Sequence, residues 1–396
     1  MSLARQICAL TANGLRHIPQ RLGSSLVVVV GIAGVVAVLI AVLAMYVGFT
    51  ATIKGDGRPD RAIVLSREAT TEYESGLSRD TVANIVNVAA ARRDERGELM
   101  VSAEVVLAAP VSRKRDRSDV NVTLRGVGAQ YFAMRPELKL VAGRMFRPGT
   151  QELLVGVAAR SQFEGLEIGD RVRLQDGDWT VVGAFAGGNG ARESELITDA
   201  QTVVSAYKLD SFNSVAVWLD SPASLDMLRD TLARDARLLV AVYGEPQYLA
   251  TASEVVNRKL RLVAYGIGSI MGLGALFAAL NSMYSAVTTR ATEMATLRAI
   301  GFSAIAVAVA LLAEATLLAL VGAAIGVGLS YVAFHGVTIS TLGGALFDSQ
   351  LVYSLSITPR LVVNVIALAC SLGLAGGIPP AVRAARANVA DALHET

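Results

Sequence analysis

Four strongly apolar runs constrain this chain more than anything else in it: Leu26–Phe49, Leu262–Val287, Ala304–Phe334 and Leu361–Ile378. As a helix, each is long enough to cross about 30 Å of hydrocarbon, which takes about 20 residues. Residues 50–261 lie between the first run and the second and are long enough to fold as a domain of their own. The expected fold is an α-helical membrane protein with four transmembrane helices, one plus three, and a large α+β domain between helices 1 and 2. Composition agrees: 53% of the residues are hydrophobic and the mean hydropathy is +0.48, too apolar for an ordinary soluble protein of 396 residues. No basic tract with interleaved aromatics occurs, so no nucleic-acid partner is expected.

Short loops set the orientation. Arg5, Arg16 and Arg21 precede the first run with no acid among them, Arg290 and Arg298 sit between the second and third, and Arg383 and Arg386 follow the fourth. The remaining short loop, 334–359, has neither Lys nor Arg. Because Lys and Arg favour the cytoplasmic side, both termini and residues 288–303 are expected inside and the large domain outside. Lys54, Arg58, Arg61, Arg258, Lys259 and Arg261 flank that domain and point the other way. Long domains translocate largely regardless of charge, so the short loops decide. The first run exceeds the 7–15 residues of a signal-peptide core and reads as a retained helix.

Cys8 and Cys370 both fall outside residues 50–261, so the exported domain has no disulfide and depends on its own core. Its pattern is mixed. Ile63–Leu65 starts a short strand, Ser78 caps a helix with Val82, Ile85 and Val86 on one face, and Met100–Val106 and Val120–Arg125 alternate as half-buried strands. Asp176-Gly177-Asp178 reads as a hairpin turn, and Ser221-Pro222 opens a helix that buries Leu225, Leu228 and Leu232. Strands interleaved with single helices predict two lobes, the strand-rich stretch near 120–205 being the inserted one.

Residues 286–303 carry the functional signal. Arg290 and Glu293 are spaced i, i+3, Leu297 follows at i+4 from Glu293, and Gly301 supplies a helix stop. Such an amphipathic helix between two membrane helices suits docking into a groove on a cytosolic partner. The competing reading is a plain interfacial helix with a surface ion pair worth a few tenths of a kcal/mol.

The run Arg290-Ala-Thr-Glu293-Met-Ala-Thr-Leu297-Arg298-Ala299-Ile300-Gly301, followed by Glu314-Ala315, resembles the signature of FtsX-like ABC transporter permeases. Pro380-Ala-Val-Arg383-Ala-Ala-Arg386, then Ala392-Leu393, resembles the family's C-terminal motif, and Pro19-Gln20-Arg21-Leu22-Gly23 its N-terminal elbow. Ala142-Gly143-Arg144-Met145-Phe146, Gly169-Asp170-Arg171-Val172 and Val181-Val182-Gly183 look like the periplasmic core of MacB-type permeases. The resemblance spans essentially the whole chain.

It implies a cytoplasmic elbow at 1–24, membrane helices at 25–49, 262–287, 304–334 and 361–378, and a MacB-like periplasmic core domain at 50–261. A coupling helix at 288–303, a short periplasmic loop at 335–360 and a cytoplasmic tail at 379–396 complete the layout. The implied protein is a multi-pass permease subunit in a bacterial inner membrane, paired with an identical or paralogous copy. A cytosolic ABC ATPase that binds ATP and Mg would dock on Arg290, Glu293, Leu297, Arg298 and Gly301, with Arg383 and Arg386 as further contacts. No G-x-x-x-x-G-K-[ST] phosphate loop occurs, so the ATPase is expected on a separate chain and no cofactor or metal on this one. Three outputs stay open: tripartite efflux through a periplasmic adaptor, lipoprotein release of the LolC/LolE type, or FtsX-type signalling to a periplasmic hydrolase.

Other features carry two readings each. Gly268/Gly272, Gly322/Gly326 and Gly373/Gly377 are spaced for close helix packing, within one subunit or across a dimer seam. Glu314 is an intramembrane acid, either a coupling group or an interfacial partner of an arginine such as Arg298. Arg113, Lys114, Arg115 and Arg117 form a solvated loop or a contact for an acidic partner or lipid head groups. An enzyme is not expected: the histidines, His17, His335 and His394, all lie outside the exported domain, and no G-x-S-x-G occurs.

Overall fold

The computed structural model describes residues 3–16, 22–54, 57–88, 91–175, 177–187, 190–235, 237–289, 291–340 and 350–386. Pro19–Arg21, Asp176, Arg290 and Ala392–Leu393 lie outside these residues, as does the side chain of Glu293. Helices α1 (Leu3–Arg16) and α2 (Leu22–Lys54) open the chain. Next come β1 (Arg61–Ser66), β2 (Leu77–Ser78), α3 (Arg79–Val88), β3 (Val101–Ser112), β4 (Asp119–Val127), α4 (Tyr131–Met134), β5 (Lys139–Gly143), β6 (Glu152–Gly156) and α5 (Val157–Gln162). They are followed by β7 (Arg171–Leu174), β8 (Gly177–Ala186), β9 (Leu196–Asp199), α6 (Ala200–Ala206), β10 (Ser211–Phe212), β11 (Ser214–Trp218), α7 (Ser224–Arg234) and β12 (Val240–Gly244). The chain closes with α8 (Glu245–Thr289), α9 (Ala291–Ala299), α10 (Ala304–Phe334), β13 (Thr338–Ser340), β14 (Val352–Ser354) and α11 (Pro359–Arg386). Two compact units result: a membrane unit of residues up to Val47, Lys259–Val337 and from Leu355 on, and an extramembrane unit of Gly48–Arg258 with Thr338–Ser354.

In the membrane unit, Ser25–Ile53, Arg261–Thr289, Ala304–Phe334 and Pro359–Arg386 are long and apolar enough to span a bilayer. Apolar burial does not drive association in lipid, where close packing of small residues takes over. Gly326 of α10 is one such place: a Cβ there would sit 2.6 Å from Ala33 O and 2.8 Å from a Val36 methyl of α2. Gly322 meets Val29 O and Ile32 in the same way. Around them Ile32, Val36, Ile40, Leu318, Ala323, Val365 and Ala369 form the core of this unit.

In the extramembrane unit one mixed sheet runs β12-β1-β11-β3-β4-β9-β6-β8-β5, with β7 paired to β8. Strand β3 joins its two parts. Val101–Glu104 pair with β11 on one side, and Val105–Ser112 pair with β4 on the other. The two expected lobes are therefore one continuous sheet, because a single long strand changes partner midway. On one face Ala62, Val64, Val105, Leu124, Val215 and Val217 pack with Ile85 of α3 and Leu228 and Leu232 of α7. Each such large side chain contributes about 1.5–3 kcal/mol of burial. Ser78 caps α3, accepting from Thr81 N at 3.1 Å. Helix α7 starts at Ser224, two residues after Pro222, because Ser221-Pro222 closes a turn first, with Ser224 N donating to Ser221 O at 3.0 Å.

The connection between α10 and α11, expected to be a simple loop, belongs in part to this unit. Val352 is buried in its core, Val352 N donates to Ser194 Oγ at 2.8 Å, and Gln350 N donates to Asn121 O at 2.6 Å. Arg113, from the basic run, donates to Gln350 Oε1 at 2.7 Å. Lys114 and Arg117 pair at the surface with Glu167 and Glu164 at 3.3 and 3.7 Å.

Candidate coupling surface

Gly301 ends α9 in a Schellman arrangement. With φ at +103°, it lets Phe302 N donate to Leu297 O at 3.1 Å and its own N–H to Arg298 O at 3.0 Å. Two residues later Ser303 caps α10, accepting from Ala306 N at 3.1 Å. Ser303 N in turn donates to Gln6 Oε1 of α1 at 3.1 Å. Leu10 of α1 packs with Met283 of α8, Val307 and Leu311 of α10 and Ala381 and Ala384 of α11. One end of the membrane unit thus gathers α1, the α9–α10 turn and the last turns of α8 and α11.

Arg290 and the Glu293 side chain lie outside the described residues; the other site residues named from sequence fall as follows. Leu297 and Arg298 are half-buried in the last turn of α9. Arg383 and Arg386 are exposed at the end of α11, on the side opposite buried Ala381 and Ala384. The Arg383 guanidinium lies 5.8 Å from the Tyr284 ring, tying the ends of α11 and α8. Glu314 is elsewhere: it is buried in α10, about 15 Å along the helix from Ala304 at 1.5 Å per residue. Of the glycines, a Cβ at Gly268 would meet Leu39 of α2, Cβ atoms at Gly373 and Gly377 would meet Ala319 and Ala315 of α10, and one at Gly272 would lie 3.9 Å from Leu372. Ile300 was not singled out by spacing, yet it is 72% exposed beside Arg298. Its place directly before the helix-ending glycine does not mark it in the sequence; its exposure among the described residues does.

A second constellation, on the other face of the extramembrane sheet, was not anticipated. Arg125 of β4 donates to Glu195 (Nε, 2.7 Å; Nη2, 3.1 Å), Glu72 (Nη1, 2.9 Å; Nη2, 3.0 Å) and Glu104 of β3 (Nη1, 2.7 Å). All four side chains are buried. Arg192 stands 3.6 Å from Glu195 and 3.9 Å from Glu104, and Ser214 Oγ donates to Glu72 at 2.7 Å. Burial pushes the Glu72 carboxyl up, but the Arg125 guanidinium across both its oxygens overrides this and holds it at about 2. Among the described residues no cluster of three or more His, Cys, Asp or Glu side chains is arranged to hold a metal ion.

Comparison with known proteins places both units. A model of the MacB-like periplasmic core domain matches residues 25–235, and one of the FtsX-like permease C-terminal region matches residues 265–389. The macrolide export ATP-binding/permease protein MacB of Neisseria gonorrhoeae is 25% identical over 297 residues, 70% of this chain and 44% of that protein. The uncharacterized ABC transporter permease YvrN of Bacillus subtilis is 25% identical over 295 residues, 68% of this chain and 69% of that one. The crystal structure of the periplasmic region of MacB from Actinobacillus actinomycetemcomitans aligns at 16% identity and a TM-score of 0.37, covering 53% of this chain and 95% of that one. The chain spans less than half the length of the MacB proteins it matches. With four membrane-capable helices and a periplasmic-type domain between the first two, it is a multi-pass bacterial membrane protein and belongs to the FtsX/MacB-type family of ABC transporter permeases.

Proposed function

We propose that this chain is the membrane subunit of an ABC export or extrusion system that passes ATP-driven motion to its periplasmic domain. An ABC ATPase, whose phosphate loop is not among these 396 residues, docks on α9 and the exposed end of α11. Ile300 supplies an apolar anchor and Arg298, Arg383 and Arg386 a positive rim. Closure of the ATPase is relayed along α8, in a complex with a second permease copy in the inner membrane and both termini cytoplasmic. The substrate is then handed to a periplasmic adaptor. The observation that carries this reading is the α9 helix between two membrane-capable helices, halted by Gly301 with Ile300 outward, inside the region matched to FtsX-like permeases.

Affinity purification of the tagged chain in mild detergent, with mass spectrometry, tests it. A P-loop ATPase is expected from wild type and a reduced yield of it from Ile300→Glu, with membrane insertion unchanged. A membrane-fusion adaptor in the same eluate supports efflux, whereas a lipoprotein carrier or a murein hydrolase replaces that output. Equal ATPase recovery from the variant removes Ile300 from the surface, and no ATPase after crosslinking at Thr292→Cys removes the transporter reading.

A further inference from the structure

Strand β12 passes directly into α8 at Gly244-Glu245, with no linker between them. Glu245, the first residue of that helix, is fully buried. Its carboxylate faces Arg61 Nε of β1 at 2.9 Å and Arg135 Nη1 at 2.7 Å, just after α4, and accepts from Arg58 N at 3.0 Å. Arg61 also reaches Glu137 at 2.7 Å, and the Arg135 guanidinium lies over the Tyr131 ring at 5.1 Å. One helical turn on, the Tyr248 hydroxyl accepts from Glu72 N at 3.1 Å, and the Glu72 carboxylate is gripped at both oxygens by Arg125. The first turn of α8 is thus fastened at two points, Glu245 to Arg61 of β1 and to Arg135, and Tyr248 to the backbone of Glu72, whose carboxylate Arg125 of β4 holds.

Buried ion pairs are poor stabilisers, because desolvation offsets most of their attraction; their best-attested use is to fix registry. Apolar burial is non-directional and by itself fixes register only weakly. This contact is stricter, since moving Glu245 out of place leaves Arg61 and Arg135 facing each other in a dry interior. Burial and the neighbouring Arg135 already pull Arg61 below the ordinary guanidinium value, and Glu245 opposes that pull. We propose that Glu245 and Tyr248, held by Arg61, Arg135 and the Glu72–Arg125 pair, form the joint through which motion of α8 is delivered to the periplasmic sheet. The assignment of motion rests on the function proposed above, and these six are positioning residues.

The test is hydrogen exchange on the full chain in detergent, which needs neither ATPase nor substrate. Glu245→Gln combined with Arg135→Met removes one charge of each sign and leaves Arg61 paired with Glu137, so the unit keeps its charge balance. Amides 249–254 of α8 are expected to exchange at least about tenfold faster, with amides 152–156 of β6 unchanged. Unchanged exchange at 249–254 overturns the joint. Equal loss at β6 also overturns it, since the bracket would then serve the fold as a whole. In the complex with its ATPase, the variant is expected to keep hydrolysing ATP while the ATP-dependent displacement of the periplasmic domain disappears. A displacement of wild-type size with the helix released refutes the joint, whereas failure to recover any ATPase refutes only the function it rests on.

Discussion

Replacing Arg125 with methionine roughly keeps the side-chain volume and removes the cation on which Glu72, Glu104 and Glu195 converge. Five hydrogen bonds of 2.7–3.1 Å are lost, and Arg192, at 3.6–3.9 Å from two of the three acids, is the nearest cation the geometry leaves to them. Breaking a buried pair by removing one partner costs about 3–5 kcal/mol. In a domain of this size each kcal/mol moves Tm by about 2–4 °C, so a fall of about 10 °C is expected at neutral pH. The pH dependence carries the sharper test. In wild type the Glu72 carboxyl is held at about 2, so its contribution is whole above its unfolded value near 4.5 and is lost as pH falls from there toward 2. Without Arg125, burial pushes Glu72 upward against only the more distant Arg192 and the Ser214 hydroxyl, so protonation relieves the variant as pH falls. The gap between the two proteins should be widest at pH 7–8 and shrink toward pH 4.5. Both tryptophans, Trp179 and Trp218, lie in the extramembrane unit, so fluorescence-detected melting of the full chain reads that unit directly. A gap below about 1 kcal/mol, or one that is constant or widens as pH falls, would refute the buried-hub account.

Gly301→Ala forces a side chain into left-handed backbone at a cost of about 1–2 kcal/mol, and should lower ATPase copurification while leaving Trp-detected melting unchanged. Gly326→Val drives side-chain atoms into the Ala33 carbonyl, whose distance from the first added carbon is already 2.6 Å. It should destabilise α2–α10 packing by about 1–3 kcal/mol, read as earlier aggregation of the detergent-solubilised chain on heating. In a cysteine-free background, Ser112→Cys should label from outside in intact spheroplasts and Thr292→Cys only after lysis; the reverse pattern inverts the orientation.

Local features were legible where one residue type has one physical use. Ser78 ahead of an apolar helical face capped α3, and Gly301 after Leu297 stopped α9, because a cap hydroxyl and a positive φ are nearly private to those residues. The membrane runs were legible because lipid admits no other composition at that length. Alternation at Met100–Val106 and Val120–Arg125 identified half-buried strands but carried no sign that Glu104 and Arg125 are buried as well. The partners of Arg125 lie 21–70 residues away in the chain and no spacing rule joins them. The place of Val352 in the extramembrane core was equally hidden, because three apolar residues in a short loop look the same wherever they pack. Ile300 needed coordinates: among the described residues it is 72% exposed where Leu297 is half-buried.

The central claim is that ATP moves the periplasmic domains of a paired permease. The direct measurement is the nitroxide–nitroxide distance between residues 112 of the two copies in the purified complex, with ATP trapped and without nucleotide. A shift in the distance distribution on trapping ATP is predicted, and its loss in Gly301→Ala complexes that still contain the ATPase. Identical distributions with and without ATP, in a complex that hydrolyses it, would contradict the account.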